Sequence, residues 1–241
     1  RGGCRIGLNF TGDPDRINDF TGAGCDHSLE VRRWEEGEFE YYTDIWGNVW
    51  YRKVGLSQGG EVSRPAIEDW RDLDRLELPD LDNPAYYEGA RRLGASDSDL
   101  FRVGWMPGWP FAICRYMRKM EVYFIDLVTE RDRIDVLHDR VTTLLEGMVD
   151  RYGEAGMDGL FFCEDLGTQD RLLMSPSMWR EIFRPLYERL TGRAHQYGMK
   201  VIQHSCGYNY ELVDALCESG IACLQFDIGR LQIEKRNHAL T

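Results

Sequence analysis

Short apolar runs alternate with longer amphipathic stretches from about residue 100 onward. The runs at residues 100–105, 159–163 and 199–203 predict buried strands, because they are short and lack the spacing of an amphipathic helix. Between them, apolar residues at helical spacing predict helices, with Thr129 and Ser175 as N-caps. This alternation of strands and helices predicts a parallel sheet with right-handed crossovers.

The first third of the chain follows a different pattern. We predict a strand at residues 5–10 and a glycine-rich turn at residues 21–24. Aromatic and β-branched residues then fill positions 39–51, and the Gly47-Asn48 dipeptide among them predicts a β-hairpin. With one strand counted near residues 39–53, the chain supplies at most six strands to a barrel.

Composition narrows the classes of partner. The 241 residues include 29 Lys and Arg against 41 Asp and Glu, which gives a net charge of -12. A nucleic-acid surface needs clustered basic residues, and an anionic membrane attracts them too, so we expect neither partner. Seven scattered cysteines favour a reducing compartment, and we see no basic-then-apolar signal segment. We therefore expect a cytoplasmic protein.

Polar side chains follow three successive predicted strands. Glu164 and Asp165 follow one strand, His204 and Cys206 follow the next, and Asp227 ends the last. At the carboxyl mouth of a parallel α/β barrel these groups would converge. An imidazole and a thiol two positions apart on one strand face suit zinc. The alternatives are a buried histidine beside a small apolar cysteine, and acids that cap a turn or face solvent.

Four motifs occur in an order typical of one superfamily: Trp46-Gly47, Glu164-Asp-Leu-Gly-Thr-Gln169, Ser175-Pro176 and His204-Ser-Cys-Gly207. They resemble the uroporphyrinogen decarboxylase-like (URO-D) superfamily, whose fold is a TIM barrel. The resemblance implies one domain over residues 1–241, irregular at 1–99 and built of βα units at 100–241. We therefore expect a barrel in which the last one or two of the eight βα units are missing from this chain. An open doubly wound sheet is the alternative, but its glycine-rich fingerprint after the first strand is absent.

The resemblance is nearest to the zinc-dependent methyltransferases of this superfamily, which move methyl groups between corrinoids and thiols. It implies Zn²⁺ bound by His204, Cys206 and Asp227. Zinc would hold and deprotonate a thiol, and the methyl donor would be a corrinoid carried on a partner protein. Glu164, Asp165 and Tyr116 are the predicted catalytic residues.

A decarboxylase of the same superfamily is the second hypothesis. Tyr116 and Asp44 match its tyrosine and aspartate, whereas its Arg-x-x-x-Arg motif after the first strand has no counterpart here. A substrate with many carboxylates would then lose its main bidentate partners. Gln169, Trp105 and Asp44 are the predicted substrate-binding residues. A non-catalytic barrel that binds a small molecule or a corrinoid protein is the third hypothesis, and further copies of the chain are also candidate partners.

Overall fold

The computed structural model describes residues 20–55 and 59–226. The strands in these ranges are β1 (Phe20–Ala23), β2 (Arg33–Glu36), β3 (Phe39–Thr43), β4 (Val49–Lys53), β5 (Glu61–Arg64), β6 (Phe101–Trp105), β7 (Gly159–Cys163), β8 (Lys200–Ser205) and β9 (Cys223–Phe226). The α-helices are α1 (Trp70–Leu73), α2 (Glu88–Gly94), α3 (Pro110–Met117), α4 (Met120–Thr129), α5 (Arg131–Glu154), α6 (Pro176–Ile182), α7 (Arg184–Gln196) and α8 (Val213–Glu218). Single 3₁₀ turns, Pro84–Tyr87 and Tyr210–Leu212, precede α2 and α8.

Five strands form a parallel sheet in the order β1-β6-β7-β8-β9. Each strand lies beside the next strand of that sheet along the chain, and helices connect the strands from β6 to β9. A doubly wound sheet would reverse its order at a switch point, whereas a TIM barrel keeps this sequential order. The predicted α/β class is confirmed. The order is consistent with part of a barrel, whose closure stays a prediction.

The described chain divides into two compact units. The first unit contains residues 20–26, 82–107 and 146–226, and with them the whole parallel sheet. The second unit contains residues 27–81 without the undescribed 56–58, and residues 108–145. The single domain expected over residues 1–241 stays a prediction.

Helices of the first unit cover one face of the parallel sheet. A Cβ atom on Gly104 would come within 2.6 Å of the Tyr152 ring of α5, so only glycine lets this helix approach β6 so closely. Phe162 of β7 packs edge to face on Tyr187 of α7, with ring centroids 6.1 Å apart. Each of these aromatic side chains is fully buried, and the burial of each contributes roughly 1.5–3 kcal/mol to the stability of the folded state. We call the opposite face the site face; by strand register it carries Phe161, Cys163, Ile202, His204 and Gln225.

The second unit contains an antiparallel sheet in the order β2-β3-β4-β5. Its β3–β4 pair is the hairpin that the sequence predicts, and Gly47 in the turn has a φ of +89°. Asp44 closes this turn, because its Oδ1 accepts hydrogen bonds from the backbone N–H groups of Trp46 and Asn48, both at 2.9 Å. Left-handed backbone at Gly47 and the aspartate together explain why the chain reverses here.

A buried ion pair joins α3 to α4 in the second unit. Nε of Arg118 donates to Oδ2 of Asp126 at 2.7 Å, and both side chains are buried. The guanidinium group also lies 4.6 Å from the centroid of the Trp70 ring and donates to the Ile67 carbonyl oxygen at 3.1 Å. Because a buried charge is costly without such partners, this cluster depends on each of its members.

Two predictions for the first third of the chain are wrong. Residues 21–24, predicted as a turn, lie largely in β1, which pairs in parallel with β6. Gly22 is needed there because the Trp105 indole lies so close that a Cβ atom would overlap it. Residues 39–53, counted as a barrel strand, belong to the antiparallel sheet of the second unit instead. The strand predicted at residues 5–10 lies outside the described residues.

Of the two predicted N-caps, one is confirmed and one is wrong. Ser175 caps α6, and its Oγ accepts a hydrogen bond from the Met178 N–H group at 3.2 Å. Thr129 instead ends α4, where its hydroxyl group donates to the Ile125 carbonyl oxygen at 3.1 Å. Within residues 20–55 and 59–226, no helix is both long and apolar enough to cross a membrane.

Candidate metal site

The two strongest sequence motifs meet at the ends of β7 and β8. Cys163 lies opposite His204 in the parallel register, and the Glu164 N–H group donates to the His204 carbonyl oxygen at 2.9 Å. One step further, Oδ1 of Asp165 accepts a hydrogen bond from the Cys206 N–H group at 2.7 Å. Parallel pairing therefore brings Asp165 beside His204 and Cys206, two of the three metal ligands that the sequence predicts.

Three donor atoms of different chemistry converge there. Nε2 of His204 lies 3.1 Å from Sγ of Cys206. The ligand atoms of Asp165, His204 and Cys206 all lie within 4.8 Å of one another, and each residue is half-buried. In the described part of the chain, no other group of three or more His, Cys, Asp or Glu residues meets this condition. Nitrogen, sulfur and carboxylate oxygen are the donors that zinc takes in proteins.

Glycine lets the two motif loops pack against each other. Gly207 has a φ of +79°, and a Cβ atom there would come within 2.6 Å of the Thr168 carbonyl oxygen. Gly167 likewise lies against the Tyr208 backbone. Asn209 is buried, and its side-chain amide donates to the Cys206 carbonyl oxygen at 3.1 Å. The loop that carries Cys206 is thus held by backbone contacts that any larger residue at either glycine would break.

A second contact holds the imidazole of His204. Gln225 of β9 lies opposite His204 in the register of β8 and β9. Its Oε1 is hydrogen-bonded to Nδ1 of His204, on the side of the ring away from Cys206. Gln225 is not among the site residues predicted from the sequence. The only signal for it was a polar residue inside the apolar run of β9.

An aromatic wall lies on the same face of the sheet. Trp105 is 39% exposed and packs edge to face on Phe161, with ring centroids 4.9 Å apart. Phe161 is opposite Ile202, which precedes His204 by two positions on β8. Trp105 therefore stands two strands from the histidine, on the face where a bound molecule could reach both.

Cys163 is an exposed residue on the site face, and its sulfur is not one of the three converging donor atoms. Partial burial of this sulfur, with a further contribution from Asp165, raises the pKa of the Cys163 thiol. A raised pKa disfavours the thiolate form that binds metals. Cys163 thus differs from Cys206 in position, because only the Cys206 sulfur lies beside His204 and Asp165.

Glu164 points to the helix-covered face, unlike its neighbour Asp165. It is 1% exposed, and its Oε1 accepts a hydrogen bond from the Tyr187 hydroxyl group of α7. Gln203 of β8 is also buried there, and its side-chain amide lies 3.4 Å from both the Tyr187 hydroxyl group and the Glu164 carbonyl oxygen. Glu164 thereby ties α7 to the end of β7 from beneath the site.

The remaining predicted residues have separate surroundings. Asp44 and Tyr116 both belong to the second unit, where Trp50 links them. Nε1 of Trp50 donates to Oδ2 of Asp44 at 2.7 Å, and its ring lies 4.7 Å from that of Tyr116. Gln169 is exposed in the loop after β7. Asp227, the predicted third zinc ligand, lies outside the described residues.

A family model described as "Uroporphyrinogen decarboxylase (URO-D)" matches residues 52–238. The match covers more than half of the 241 residues and includes Asp165, His204 and Cys206. The chain belongs to the URO-D family. The resemblance inferred from the motifs is therefore confirmed. All three residues of the candidate metal site lie within the part of the URO-D chain that the family model matches.

The fold of the URO-D chain also resembles that of a solved structure. That structure is a methyltransferase from Methanosarcina mazei, to which the chain is similar with 18% sequence identity and a TM-score of 0.56. The match covers 69% of this chain and 49% of that chain, so the URO-D chain spans about half the length of the structure it matches. At this identity the similarity concerns the fold. No curated protein matches the sequence.

Proposed function

We propose that this URO-D family protein is a zinc-dependent methyltransferase that moves a methyl group from a corrinoid to a thiol. The observation that carries the proposal is the convergence of Asp165, His204 and Cys206 at two adjacent strand ends. Three mixed protein donors are typical of catalytic zinc sites, which keep a position open, whereas structural sites have four. The matched structure from Methanosarcina mazei, described as a methyltransferase, also favours this reaction within the family.

Each of the three residues would supply a different ligand atom to the zinc ion. His204 and Cys206 would supply the nitrogen and sulfur ligands, and Asp165 the oxygen ligand. Zinc held there would lower the pKa of a bound thiol, so that a thiolate nucleophile is available at neutral pH. Asp165 also accepts the hydrogen bond of the Cys206 N–H group, which fixes the backbone beneath the ligand sulfur.

The surroundings suit a large methyl donor. Exposed Trp105 and half-buried Phe161 form an aromatic wall on the site face, and apolar and aromatic side chains of this kind line most small-molecule sites. In the proposed transfer, the thiolate sulfur bonds to the methyl carbon while the carbon–cobalt bond breaks. The electron pair of that bond stays on cobalt, giving a cob(I) corrinoid, and the proton of the thiol has already left to solvent. A partner protein would carry the corrinoid.

Metal content of the full chain tests the proposal. Purified without chelators, the protein should contain about one zinc per chain. Cys206→Ser and Asp165→Asn should lose it, although asparagine can still accept the Cys206 N–H hydrogen bond. Cys163→Ser is the matched control, because this thiol lies on the same face outside the donor group, and it should keep the metal. A cobalt-loaded protein should show thiolate-to-cobalt absorption, which Cys163→Ser should keep and Cys206→Ser should lose.

Methyl transfer is assayed with methylcobalamin and a thiol, by the absorbance change as the carbon–cobalt bond breaks. The wild type and Cys163→Ser should be active, and Cys206→Ser inactive. A wild-type protein that binds no zinc, or a Cys206→Ser variant that transfers methyl groups normally, would contradict the proposal.

A decarboxylase is the second candidate, since the family model carries that description. The linkage of Asp44 and Tyr116 through Trp50 favours it, because this cluster unites the two residues that match the decarboxylase. The Asp44 carboxylate, however, accepts four hydrogen bonds from Trp46, Asn48 and Trp50 of its own hairpin. These contacts stabilise the hairpin. Turnover of uroporphyrinogen by metal-free protein, lost in Tyr116→Phe, would favour this candidate over methyl transfer.

A further inference from the structure

The imidazole of His204 is held from both sides. Nε2 faces Sγ of Cys206 at 3.1 Å, and Nδ1 is hydrogen-bonded to Oε1 of Gln225 on the neighbouring strand β9. The two residues lie opposite each other in the parallel register, so both side chains project from the site face. Gln225 is half-buried, which keeps its amide beside the ring.

This contact decides which ring nitrogen can bind a metal. A neutral imidazole has one N–H group and one nitrogen with a free lone pair, and only the latter can be a ligand. A carbonyl oxygen accepts hydrogen bonds and cannot donate them. Because Oε1 of Gln225 faces Nδ1, the proton belongs on Nδ1, and the lone pair of Nε2 points towards Cys206.

We propose that Gln225 is the positioning residue of this site: it holds His204 in the Nδ1–H form and so leaves Nε2 available for the metal. The inference rests on the proposed function, in which His204 is a zinc ligand. In the opposite arrangement, the Gln225 amide would donate to Nδ1, and an Nε2–H group would donate to the Cys206 sulfur. That arrangement would block the nitrogen that faces the Cys206 sulfur.

Two substitutions at position 225 separate the arrangements. Gln225→Glu supplies an oxygen that only accepts at neutral pH, so it permits the Nδ1–H form alone. Gln225→Met keeps the length of the side chain and removes the acceptor. Nitrogen-15 NMR of histidine-labelled, metal-free full-length protein at pH 8 reports the tautomer, since neutral imidazoles give distinct shifts for each form. The His204 signals are assigned by their loss in His204→Asn.

The expected tautomer is Nδ1–H in the wild type and in Gln225→Glu, with a mixture in Gln225→Met. A wild type in the Nε2–H form that switches in Gln225→Glu would overturn the inference. So would a Gln225→Met protein with an unchanged tautomer. This measurement needs no metal, so its outcome is independent of whether the protein binds zinc.

Zinc affinity supplies the second readout. Loss of a hydrogen bond behind a ligating histidine weakens metal binding by about 10–100-fold, which is the effect expected for Gln225→Met. Gln225→Glu should restore the affinity to within a few-fold of the wild type. Gln196→Met, at an exposed position at the end of α7, is the matched control and should bind zinc normally. Equal affinity of wild type and Gln225→Met would overturn the positioning role. A wild type that binds no zinc would instead count against the proposed function.

Discussion

Acid should destabilise the second unit through His138, a residue of α5 that is 2% exposed. Burial lowers the pKa of His138 to about 3, while Asp135 raises it and Arg131 lowers it by smaller amounts. The imidazole is therefore neutral in the folded protein. Its Nε2 lies 2.6 Å from the Tyr123 hydroxyl group, which donates a hydrogen bond to the free lone pair. A proton on Nε2 would remove that acceptor.

The sign and size follow from the two pKa values of His138. In the unfolded chain the imidazole takes up a proton near pH 6.5, and in the folded protein only near pH 3. Between these values the unfolded state binds more protons, so the free energy of unfolding falls as the pH falls. The slope is about 1.4 kcal/mol per pH unit. From about pH 7.5 to about pH 5 the expected loss is about 2 kcal/mol.

Urea unfolding of wild type and His138→Gln at these two pH values measures the effect. Glutamine does not titrate, and its side-chain oxygen can still accept the Tyr123 hydrogen bond. All other titrating groups are common to both proteins, so their contributions cancel in the comparison. The wild type should lose about 2 kcal/mol more than the variant on acidification. Equal losses would refute a buried, neutral His138.

Two further predictions concern backbone strain and buried charge. Gly207→Ala should lower the free energy of unfolding by about 1–3 kcal/mol, because φ is +79° and the new Cβ meets backbone oxygens. Gly192→Ala in α7, where a Cβ meets nothing within 4 Å, should stabilise instead, and a similar loss in both would contradict the reasoning. Asp126→Ala should cost about 3–5 kcal/mol in urea unfolding, because it leaves the Arg118 guanidinium group buried without its carboxylate. Glu188→Ala, which breaks an exposed helical ion pair, should cost less than about 1 kcal/mol, and comparable losses would argue against a special role for the buried pair.

Local signals explain the elements that the sequence predicts correctly. Residues 159–163 form β7, the Gly47-Asn48 turn joins a hairpin, and Ser175 caps a helix. Each of these depends on a few neighbouring residues. β1 could not be found in this way, because four residues that include Gly22 carry no periodic pattern. Its strand conformation comes from pairing with β6, which lies far along the chain.

The candidate site shows the same division. His204 and Cys206 were predictable as a pair, since alternation along one strand places both on one face. The sequence marked Glu164 and Asp165 equally. Only the register of β7 against β8 assigns Asp165 to the Cys206 backbone and Glu164 to Tyr187 on the opposite face.

The family, the α/β class and the pairing of His204 with Cys206 on one strand face could be predicted from the sequence, because motif order and strand alternation are properties of consecutive residues. Tertiary structure alone decided which other side chains meet this pair. Asp165 follows β7 and Gln225 lies in β9, the strands on either side of β8, and their places depend on parallel registers set by long-range packing. A shift of one residue in either strand would turn these side chains to the other face of the sheet.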